Sequence, residues 1–368
     1  ADGLLDLYQG NEVCWDAGGF YADRVLHNEG DGIFEDWTGR RGFYDEDDDR
    51  LGARGVNPAD FDQDGDVDVF VNNYHLHRNL LYVNRGDGSG RVDEEGEERG
   101  IAGELLPPEF GAIYGHSVGA AWGDIDGDED FDLIIASLAH PRFYDFSDKT
   151  QVLLQGPDGR FTDSQGDWSY PWGDTGIRFQ EGHFVPVLFD ADADGALDLA
   201  ISTAYQGRVT DFYWGAGDGT FELDSFHAGI REEYGGCMAT TDLDNDGDVD
   251  LASAGGVWHN TLAADRSGAW IQVRVVGGPT ANRMGIGATV RAATDLAVRR
   301  RIVPGGTGYG CQDSALLHFG LGEAEAVTAM EVTFPGGLTV EYEGPFATGR
   351  RWWLHETGEA IEGWEPPP

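Results

Sequence analysis

Residues 60–68 read DFDQDGDVD, and this acidic motif decides the fold because it returns three times further along the chain. The first residues of the four copies lie 64, 66 and 52 positions apart. Self-similarity at such a period is the sequence signature of a repeat architecture. The opening residues 1–6, ADGLLD, match the second half of a further copy. The later copies are DIDGDEDFD at 124–132, DADADGALD at 190–198 and DLDNDGDVD at 242–250.

The spacing of the acidic residues in each motif predicts a calcium site. Carboxylates stand at loop positions 1, 3, 5 and 9, where they can wrap oxygen ligands around one hard cation, and Ca²⁺ accepts six to eight such ligands. We therefore expect calcium as the cofactor, at about four complete sites and one partial site. The predicted ligands are Asp60, Asp62, Asp64, Asp68, Asp124, Asp126, Asp128, Asp132, Asp190, Asp192, Asp194, Asp198, Asp242, Asp244, Asp246 and Asp250, with Asp2 and Asp6 in the partial site.

An EF-hand shares the first half of this pattern but requires Glu at position 12 and flanking helices. Position 12 here is Val71, Ile135, Ile201 or Ser253, each inside a strand-like run, so the EF-hand interpretation fails. Position 6 is glycine in three copies, whereas the second copy has Glu129. A side chain is disfavoured in the left-handed backbone conformation that the turn needs, so we expect this site to be distorted or weaker.

The runs around each motif predict β-strands, because β-branched and aliphatic residues alternate with glycine-rich turns. Four short strands per repeat describe one blade of a β-propeller. We predict a partial blade at 1–50 and units near 51–110, 111–175, 176–232 and 233–264. A seven-bladed ring would need about 28 strands. A count of strand-like runs gives roughly 18 in this chain, so we expect an N-terminal part of the propeller to be missing from it.

Charge separates this repeat region from the rest of the chain. The protein carries 24 basic and 67 acidic residues, a net charge of −43, which excludes nucleic acid as a partner because phosphates are repelled. Residues 1–264 hold 15 of the basic and 55 of the acidic residues, against 9 and 12 in residues 265–368. A second domain therefore begins near Asp265. No transmembrane segment is predicted, and the three cysteines leave the disulfide status open.

Residues 265–358 show alternating apolar positions bounded by glycine turns, which predicts about seven strands in a small β-sandwich or barrel. The tail at 359–368, with EGWEPPP, is expected to be flexible. The whole chain is therefore predicted to be all-β.

The two regions together resemble a known family. The acidic repeats resemble FG-GAP/VCBS repeats of calcium-binding propellers, and NRMGIGATV (282–290), HFGLG (318–322) and VTFPGG (332–337) look like the ASPIC/UnbV domain. The order of parts is similar to that of the cartilage acidic proteins, although Cys311 stands where a serine is expected. The resemblance implies a secreted, calcium-loaded matrix or surface protein, and it carries over no catalytic residues.

Six soft or borderline metal ligands are predicted to lie on the propeller face opposite the acidic loops. Each stands seven to nine residues from its motif, on the far side of a strand. Imidazole and thiolate groups could hold a transition metal there, so a metalloenzyme is the alternative function, although a transition metal is not expected. These rim residues are Cys14, His75, His77, His116, His140 and His183.

We expect a non-enzymatic extracellular or cell-surface protein that serves in binding, adhesion or surface assembly through this same face. Loops on the open face of a rigid scaffold are the usual place for such contacts. The expected partner is an extracellular protein or a glycan, and self-assembly into a surface layer or filament is a third possibility.

Overall fold

The structure, a computed structural model, describes residues 2–12, 21–43, 51–103, 114–139, 149–166, 171–262 and 269–363. Within these ranges the regular secondary structure is almost all strand, with two helices of four residues each, α1 (Thr38–Arg41) and α2 (Gly96–Arg99). No helix among the described residues is long and apolar enough to cross a membrane. The predicted all-β class is confirmed.

The described residues between 7 and 258 form five separate antiparallel sheets whose strands follow one another in chain order. The first has β1 (Leu7–Gln9), β2 (Arg24–Gly30) and β3 (Ile33–Asp36); the second has β4 (Gly52–Ala59), β5 (Asp68–Tyr74), β6 (Leu80–Asn84) and β7 (Val92–Glu94). The third has β8 (Ser117–Gly123), β9 (Asp132–Ser137), β10 (Gln151–Gln155) and β11 (Phe161–Asp163). The fourth has β12 (His183–Phe189), β13 (Asp198–Thr203), β14 (Asp211–Gly215) and β15 (Phe221–Leu223). The fifth has β16 (Met238–Thr241), β17 (Asp250–Ser253) and β18 (Gly256–Trp258).

Neighbouring sheets pack face to face in chain order, as propeller blades do. One apolar cluster joins Phe70 of the second sheet to Leu133 of the third, and another joins Ile134 of the third sheet to Leu199 of the fourth. A further cluster joins Ala200 of the fourth sheet to Leu251 of the fifth. Strand β9 is buried along its whole length because a sheet covers each of its faces. The predicted propeller-like arrangement of four-stranded blades is therefore present.

The acidic motifs fall where the sequence places them, between the first and second strands of a blade. In the second sheet β4 ends at Ala59 and β5 begins at Asp68, and the next three sheets repeat this arrangement. The first strands β4, β8, β12 and β16 contact one another in turn. They therefore line the inner side of the blades, with every acidic loop at the same end.

The C-terminal region forms two four-stranded sheets that face each other across a single apolar core. Its strands are β19 (Ala269–Val276), β20 (Thr289–Ala293), β21 (Val298–Ile302), β22 (Leu316–Gly322), β23 (Ala326–Phe334), β24 (Leu338–Ala347), β25 (Arg350–His355) and β26 (Ala360–Glu362). The sheet orders are β22-β19-β25-β26 and β21-β20-β23-β24. Val273 and Phe319 of one sheet meet Val332 and Phe334 of the other in the core, which is the predicted sandwich.

One expectation about this domain is wrong. The described residues of the domain form eight strands, close to the expected seven, but the predicted flexible tail at 359–368 includes an ordered strand. Residues Ala360–Glu362 pair antiparallel with Trp352–Leu354 and extend the sheet by one edge strand. The short turn at Gly358 returns the chain beside β25, so backbone pairing orders a segment whose composition predicts none.

A loop of the sandwich crosses the inner strands of the blades. Residues 304–314, here called the crossing loop, join β21 to β22. The Gly308 amide donates to Asn57 Oδ1 in β4 at 2.6 Å, and Gly308 lies so close to Gly119 of β8 that a Cβ would stand 3.4 Å from its Cα. Cys311 forms a disulfide with Cys237, with the two Cα atoms 5.5 Å apart. The crossing loop therefore fixes the sandwich to the propeller at several blades.

Candidate metal centres

All four complete acidic loops share one unusual backbone shape. Positions 4 and 6 of each loop have a positive φ, a backbone conformation that residues other than glycine rarely adopt. In three loops the position 6 amide donates to the position 1 carboxylate, as from Gly65 to Asp60 at 3.1 Å. The residues with positive φ are Gln63, Gly65, Gly127, Glu129, Ala193, Gly195, Asn245 and Gly247.

The loop at 124–132 departs from this pattern where Glu129 replaces glycine. Glu129 still takes a φ of 75°, while the glycine of this loop, Gly127, stands at position 4. The bond to the position 1 carboxylate comes from that earlier residue, because the Gly127 amide donates to Asp124 Oδ1 at 2.8 Å. The hydrogen bonding of this loop therefore differs from the others, and its weaker affinity stays a prediction.

The carboxylates of each loop converge on a common point. In all four loops three carboxylates have ligand oxygens within 4.8 Å of one another. Several of these oxygens are buried yet have no hydrogen-bond partner among the described residues, namely Asp60 Oδ1, Asp68 Oδ2, Asp190 Oδ1 and Asp242 Oδ1. A buried, unpaired carboxylate oxygen is costly unless a cation coordinates it. The residues present therefore fit a hard divalent cation.

Burial without a cation disturbs the protonation of these loops. It raises the pKa of Asp60 to about 7, of Asp132 to about 8 and of Asp190 to about 6. Neighbouring loop carboxylates raise these pKa values further, whereas the Arg301 guanidinium lowers that of Asp190. A metal-free loop thus disfavours its own ionised form near neutral pH.

Metal-free protein should therefore lose stability as the pH rises. An aspartate whose folded pKa is raised stabilises the fold fully below its unfolded pKa, near 3.8 for these groups, and that contribution is lost as the pH passes the folded values of about 6 to 8. We expect the thermal midpoint of chelator-treated protein to fall by about 5 °C or more between pH 5 and pH 8.5. Differential scanning calorimetry on protein stripped of metal measures this. A midpoint that rises over the same range contradicts it.

The partial site at the N-terminus gains a residue that the motif does not contain. The His27 ring of β2 lies between the two carboxylates, with Nδ1 3.0 Å from Asp6 Oδ1 and Nε2 3.6 Å from Asp2 Oδ2. The ring stacks on Trp37 with a centroid separation of 3.5 Å, which fixes its plane. An imidazole thus occupies the space between the two aspartates.

The sandwich domain packs directly onto the acidic loops. Gly247 lies against the Trp270 indole so closely that a Cβ has no room, and a Cβ on Gly195 would stand 2.6 Å from the Arg299 guanidinium. The position 6 glycines therefore serve two purposes, the turn and the close approach of the second domain. Sequence reasoning finds only the first of these.

At the loop at 124–132, where Glu129 replaces the position 6 glycine, ion pairs join the loop to the sandwich domain. The Glu129 carboxylate accepts from Arg291 Nε at 2.6 Å and lies 3.4 Å from Arg300 NH2. The Arg291 and Arg300 guanidiniums lower the pKa of Glu129. Arg301, the next residue of β21, is half-buried near Asp124 and Asp190; burial raises the pKa of both carboxyls, and the Arg301 guanidinium opposes that rise. The arginine run VRRRI at 298–302 is the sequence signal for this contact.

The predicted rim residues are only partly brought together. His75 and His116 lie with ring centroids 6.5 Å apart, and Tyr74 stands 4.6 Å from each. His77 is nearby in sequence, and its Nδ1 accepts from the Gly52 amide at 3.3 Å. Cys14 and His140 lie outside the described residues.

His183 is buried, whereas the sequence predicted an exposed residue on the rim. Its ring is 1% exposed, with Nδ1 2.7 Å from Thr150 Oγ1 and Nε2 3.1 Å from Asp211 Oδ2. Both nitrogens have partners in the protein because Thr150, just before β10, and Asp211, the first residue of β14, lie against the ring. Within the described ranges, none of the clusters able to hold a metal includes a rim histidine.

An aromatic surface takes the place of the expected histidine cluster. The Arg54 guanidinium stacks over Tyr74 at 4.4 Å and over Tyr309 at 5.3 Å, and Phe184 meets Tyr309 edge to face at 5.3 Å. We call these four residues the aromatic rim, together with Tyr205, whose pKa is raised by burial and by the nearby Tyr74. All five are partly exposed, and Tyr309 belongs to the crossing loop. Tyr74 lies about 20 Å along β5 from the acidic loop at Asp68, at the opposite end of the blade.

These features define a class of protein, an acidic-loop β-propeller joined to a β-sandwich. The FG-GAP-like repeat family matches residues 60–135 and 190–253, and the ASPIC and UnbV family matches residues 278–360. The chain belongs to the family that combines FG-GAP-like repeats with an ASPIC/UnbV domain, the cartilage acidic protein-like family.

The sequence relatives support the same assignment. Human cartilage acidic protein 1 is 26% identical over 318 residues, covering 86% of this chain and 37% of the relative. The mouse protein of the same name is 27% identical and covers 86% and 38%, and the Xenopus tropicalis protein is 26% identical and covers 78% and 42%. The chain therefore spans about two fifths of the length of these curated relatives.

Solved structures show more distant likeness. The V. cholerae biofilm matrix protein Bap1 is 11% identical, with a TM-score of 0.31 over 98% of this chain and 61% of its own. The exotype rhamnogalacturonan lyase YesX is 12% identical, with a TM-score of 0.33 over 88% of this chain and 61% of its own.

Proposed function

We propose that this protein is an extracellular, calcium-stabilised binding or adhesion protein without catalytic activity, and that its ligand contacts the aromatic rim. One observation carries the proposal: the sandwich covers the ends of the acidic loops, whereas among the described residues the opposite end of the blades keeps aromatic side chains partly exposed. That face presents the partly exposed rings of Tyr74, Phe184 and Tyr309 around Arg54.

The calcium part of the proposal rests on the donor set of the loops. Each loop would hold one ion through its position 1, 3, 5 and 9 aspartates, and the unpaired oxygens of Asp60, Asp68, Asp190 and Asp242 would become ligands. The cation supplies the positive charge that lets three or four carboxylates share one buried volume. Its role is structural, because the loops connect strands of the same blade.

The extracellular part rests on three supports. The relatives carry the name cartilage acidic protein, and the Cys237–Cys311 disulfide is the kind of crosslink that persists in oxidising compartments. Calcium loops of this type also suit the higher calcium concentration outside cells.

The aromatic rim suits a neutral carbohydrate or an apolar or basic peptide segment. Aromatic faces stack on sugar rings and apolar side chains, and Arg54 adds hydrogen-bond donors at their centre. The net charge of −43 opposes anionic glycans, because the field of the whole protein repels them.

Binding should therefore depend on the aromatic rim. We expect Tyr309→Ala and Tyr205→Ala to weaken binding to a neutral glycan array or a peptide array by about tenfold or more. Phe34→Ala is the matched control, since Phe34 is an aromatic residue with 42% exposure near the β2–β3 turn, at the acidic-loop end. Loss of binding in the control alone, or no binding by the wild-type chain on either array, would refute the rim as the ligand site.

A further inference from the structure

One position next to each acidic loop distinguishes the blades. The last aspartate of every motif lies at or just before the start of the second strand of its blade. Its Oδ1 accepts a hydrogen bond from a backbone amide at or near the end of the third strand, as from the Asn260 amide to Asp250 at 2.8 Å. The residue just before each donor lies opposite that aspartate in the strand register. From the first sheet to the fifth, these opposing residues are His27, Val83, Leu154, Trp214 and His259.

His259 places a nitrogen beside the fourth complete loop. Its Nδ1 lies 3.6 Å from Asp250 Oδ1 and 3.8 Å from Asp244 Oδ2, and these three ligand atoms all lie within 4.8 Å of one another. Ligand atoms around a tetrahedral zinc ion lie roughly 3.3 Å apart, given bonds of about 2.0 to 2.1 Å. The observed separations therefore need only a small contraction to hold one ion.

A fourth ligand is available in the same loop. Asp244 also belongs to the cluster that contains Asp242, whose side chain is 1% exposed. Asp242 Oδ2 accepts from Gln272 Nε2 at 2.7 Å and from the Gly247 amide, but its buried Oδ1 has no hydrogen-bond partner among the described residues. This oxygen points to a ligand independently of the histidine.

We propose that the loop at 242–250 is a mixed nitrogen and oxygen site for a borderline divalent cation of the zinc class, with His259 Nδ1, Asp244, Asp250 and Asp242 as its ligands. Imidazole favours zinc over calcium. The loops at 60–68, 124–132 and 190–198 offer only oxygen ligands, because the position that His259 occupies is taken there by Val83, Leu154 and Trp214. The inference rests on the proposed metal binding of the acidic loops and leaves the ligand of the aromatic rim open.

The histidine of the first blade does not form the same kind of site. His27 directs a different nitrogen toward each aspartate, Nδ1 to Asp6 and Nε2 to Asp2. One ion therefore cannot be coordinated by the imidazole and by both carboxylates at once. His259, in contrast, offers one nitrogen to two carboxylates and is half exposed, which leaves it accessible to an ion from solution.

The test is zinc binding to the full chain in the presence of saturating calcium, measured by isothermal titration calorimetry and by metal analysis after dialysis. We expect one zinc ion per chain, and we expect His259→Gln to weaken its binding at least tenfold with calcium binding at the other loops unchanged. His227→Gln is the matched control, because His227 also lies beside an aspartate, with Nδ1 2.5 Å from Asp224 Oδ1, but outside the acidic loops. That variant should bind zinc like the wild type.

A second measurement needs no variant. Electron spin echo spectroscopy of the Mn²⁺-loaded wild-type chain should show coupling to a directly bound nitrogen, and the absence of that coupling would overturn the inference. Zinc affinity that is equal in the wild type and His259→Gln, or calcium binding without any zinc binding, would overturn the inference and leave the calcium proposal intact. Failure of every divalent cation to bind would overturn both.

Discussion

Chelation of calcium should lower the thermal unfolding midpoint of this protein by about 10 °C or more. A ligand present at 100 times its dissociation constant stabilises the folded state by about 2.7 kcal/mol per site. Four acidic loops therefore offer about 10 kcal/mol, and a chain of this size shifts by about 2 °C per kcal/mol. Scanning calorimetry with excess calcium and with excess EGTA at pH 7.5 measures the shift.

Two variants in one loop make this prediction specific. Asp62 stands at a ligand position of the loop at 60–68, whereas Asp66 stands at position 7, where the side chain is not a predicted ligand. In zinc-free buffer, where calcium also fills the loop at 242–250, we expect Asp62→Asn to remove about one of four calcium ions and part of the midpoint shift, and Asp66→Asn to keep all four. An identical midpoint with calcium and with EGTA in the wild-type chain would refute the calcium proposal.

The sequence predicted the repeat, the strand order of the blades and the position of each acidic loop. This was possible because the information is local: a carboxylate spacing, a glycine for the turn and a β-branched run lie within about 15 residues of one another. The same locality explains why the loop at 124–132 could be singled out, since Glu129 breaks the pattern by itself. Calcium occupancy stays a prediction.

The docking of the sandwich on the loops could not be predicted, because it joins residues far apart in the chain. Gly247 and Trp270 are in different domains, as are Glu129 and Arg291. An acidic first domain and an arginine run in a nearly neutral second domain indicate attraction, but they do not say which surfaces meet. Only the structure shows that the position 6 glycines lie against the second domain, with Gly65 against Gly337, Gly195 against Arg299 and Gly247 against Trp270.

The rim prediction failed in part for a related reason. Strand direction correctly placed His183 at the end opposite the acidic loop, but exposure depends on what packs above the strand end. Asp211 and Thr150 come from neighbouring parts of the fold and enclose the ring. The stretches LHN at 26–28 and WHN at 258–260 align with LYVN at 81–84, and comparing them would have revealed His27 and His259 from sequence alone.

Loss of the Cys237–Cys311 disulfide should be the largest effect of any single substitution discussed here. The two cysteines are 74 residues apart, and crosslinking a loop of this length stabilises the folded state by about 4 kcal/mol in the chain-entropy model. We expect Cys237→Ser and Cys311→Ser each to lower the free energy of unfolding by about this amount. Guanidinium unfolding of calcium-loaded protein measures it, with Cys14→Ser as the control that leaves the crosslink in place.

The same substitutions test whether the crossing loop holds the two domains together. Without the disulfide the loop keeps polar contacts to the propeller, from the Thr240 amide to Asp313 Oδ1 at 2.7 Å and from the Gly308 amide to Asn57 Oδ1. We therefore expect the sandwich to stay docked in native conditions but to separate at a lower denaturant concentration than the propeller unfolds, so that one transition becomes two. A single transition with an unchanged midpoint in reduced wild-type protein would show that these contacts and the loop arginines suffice without the crosslink.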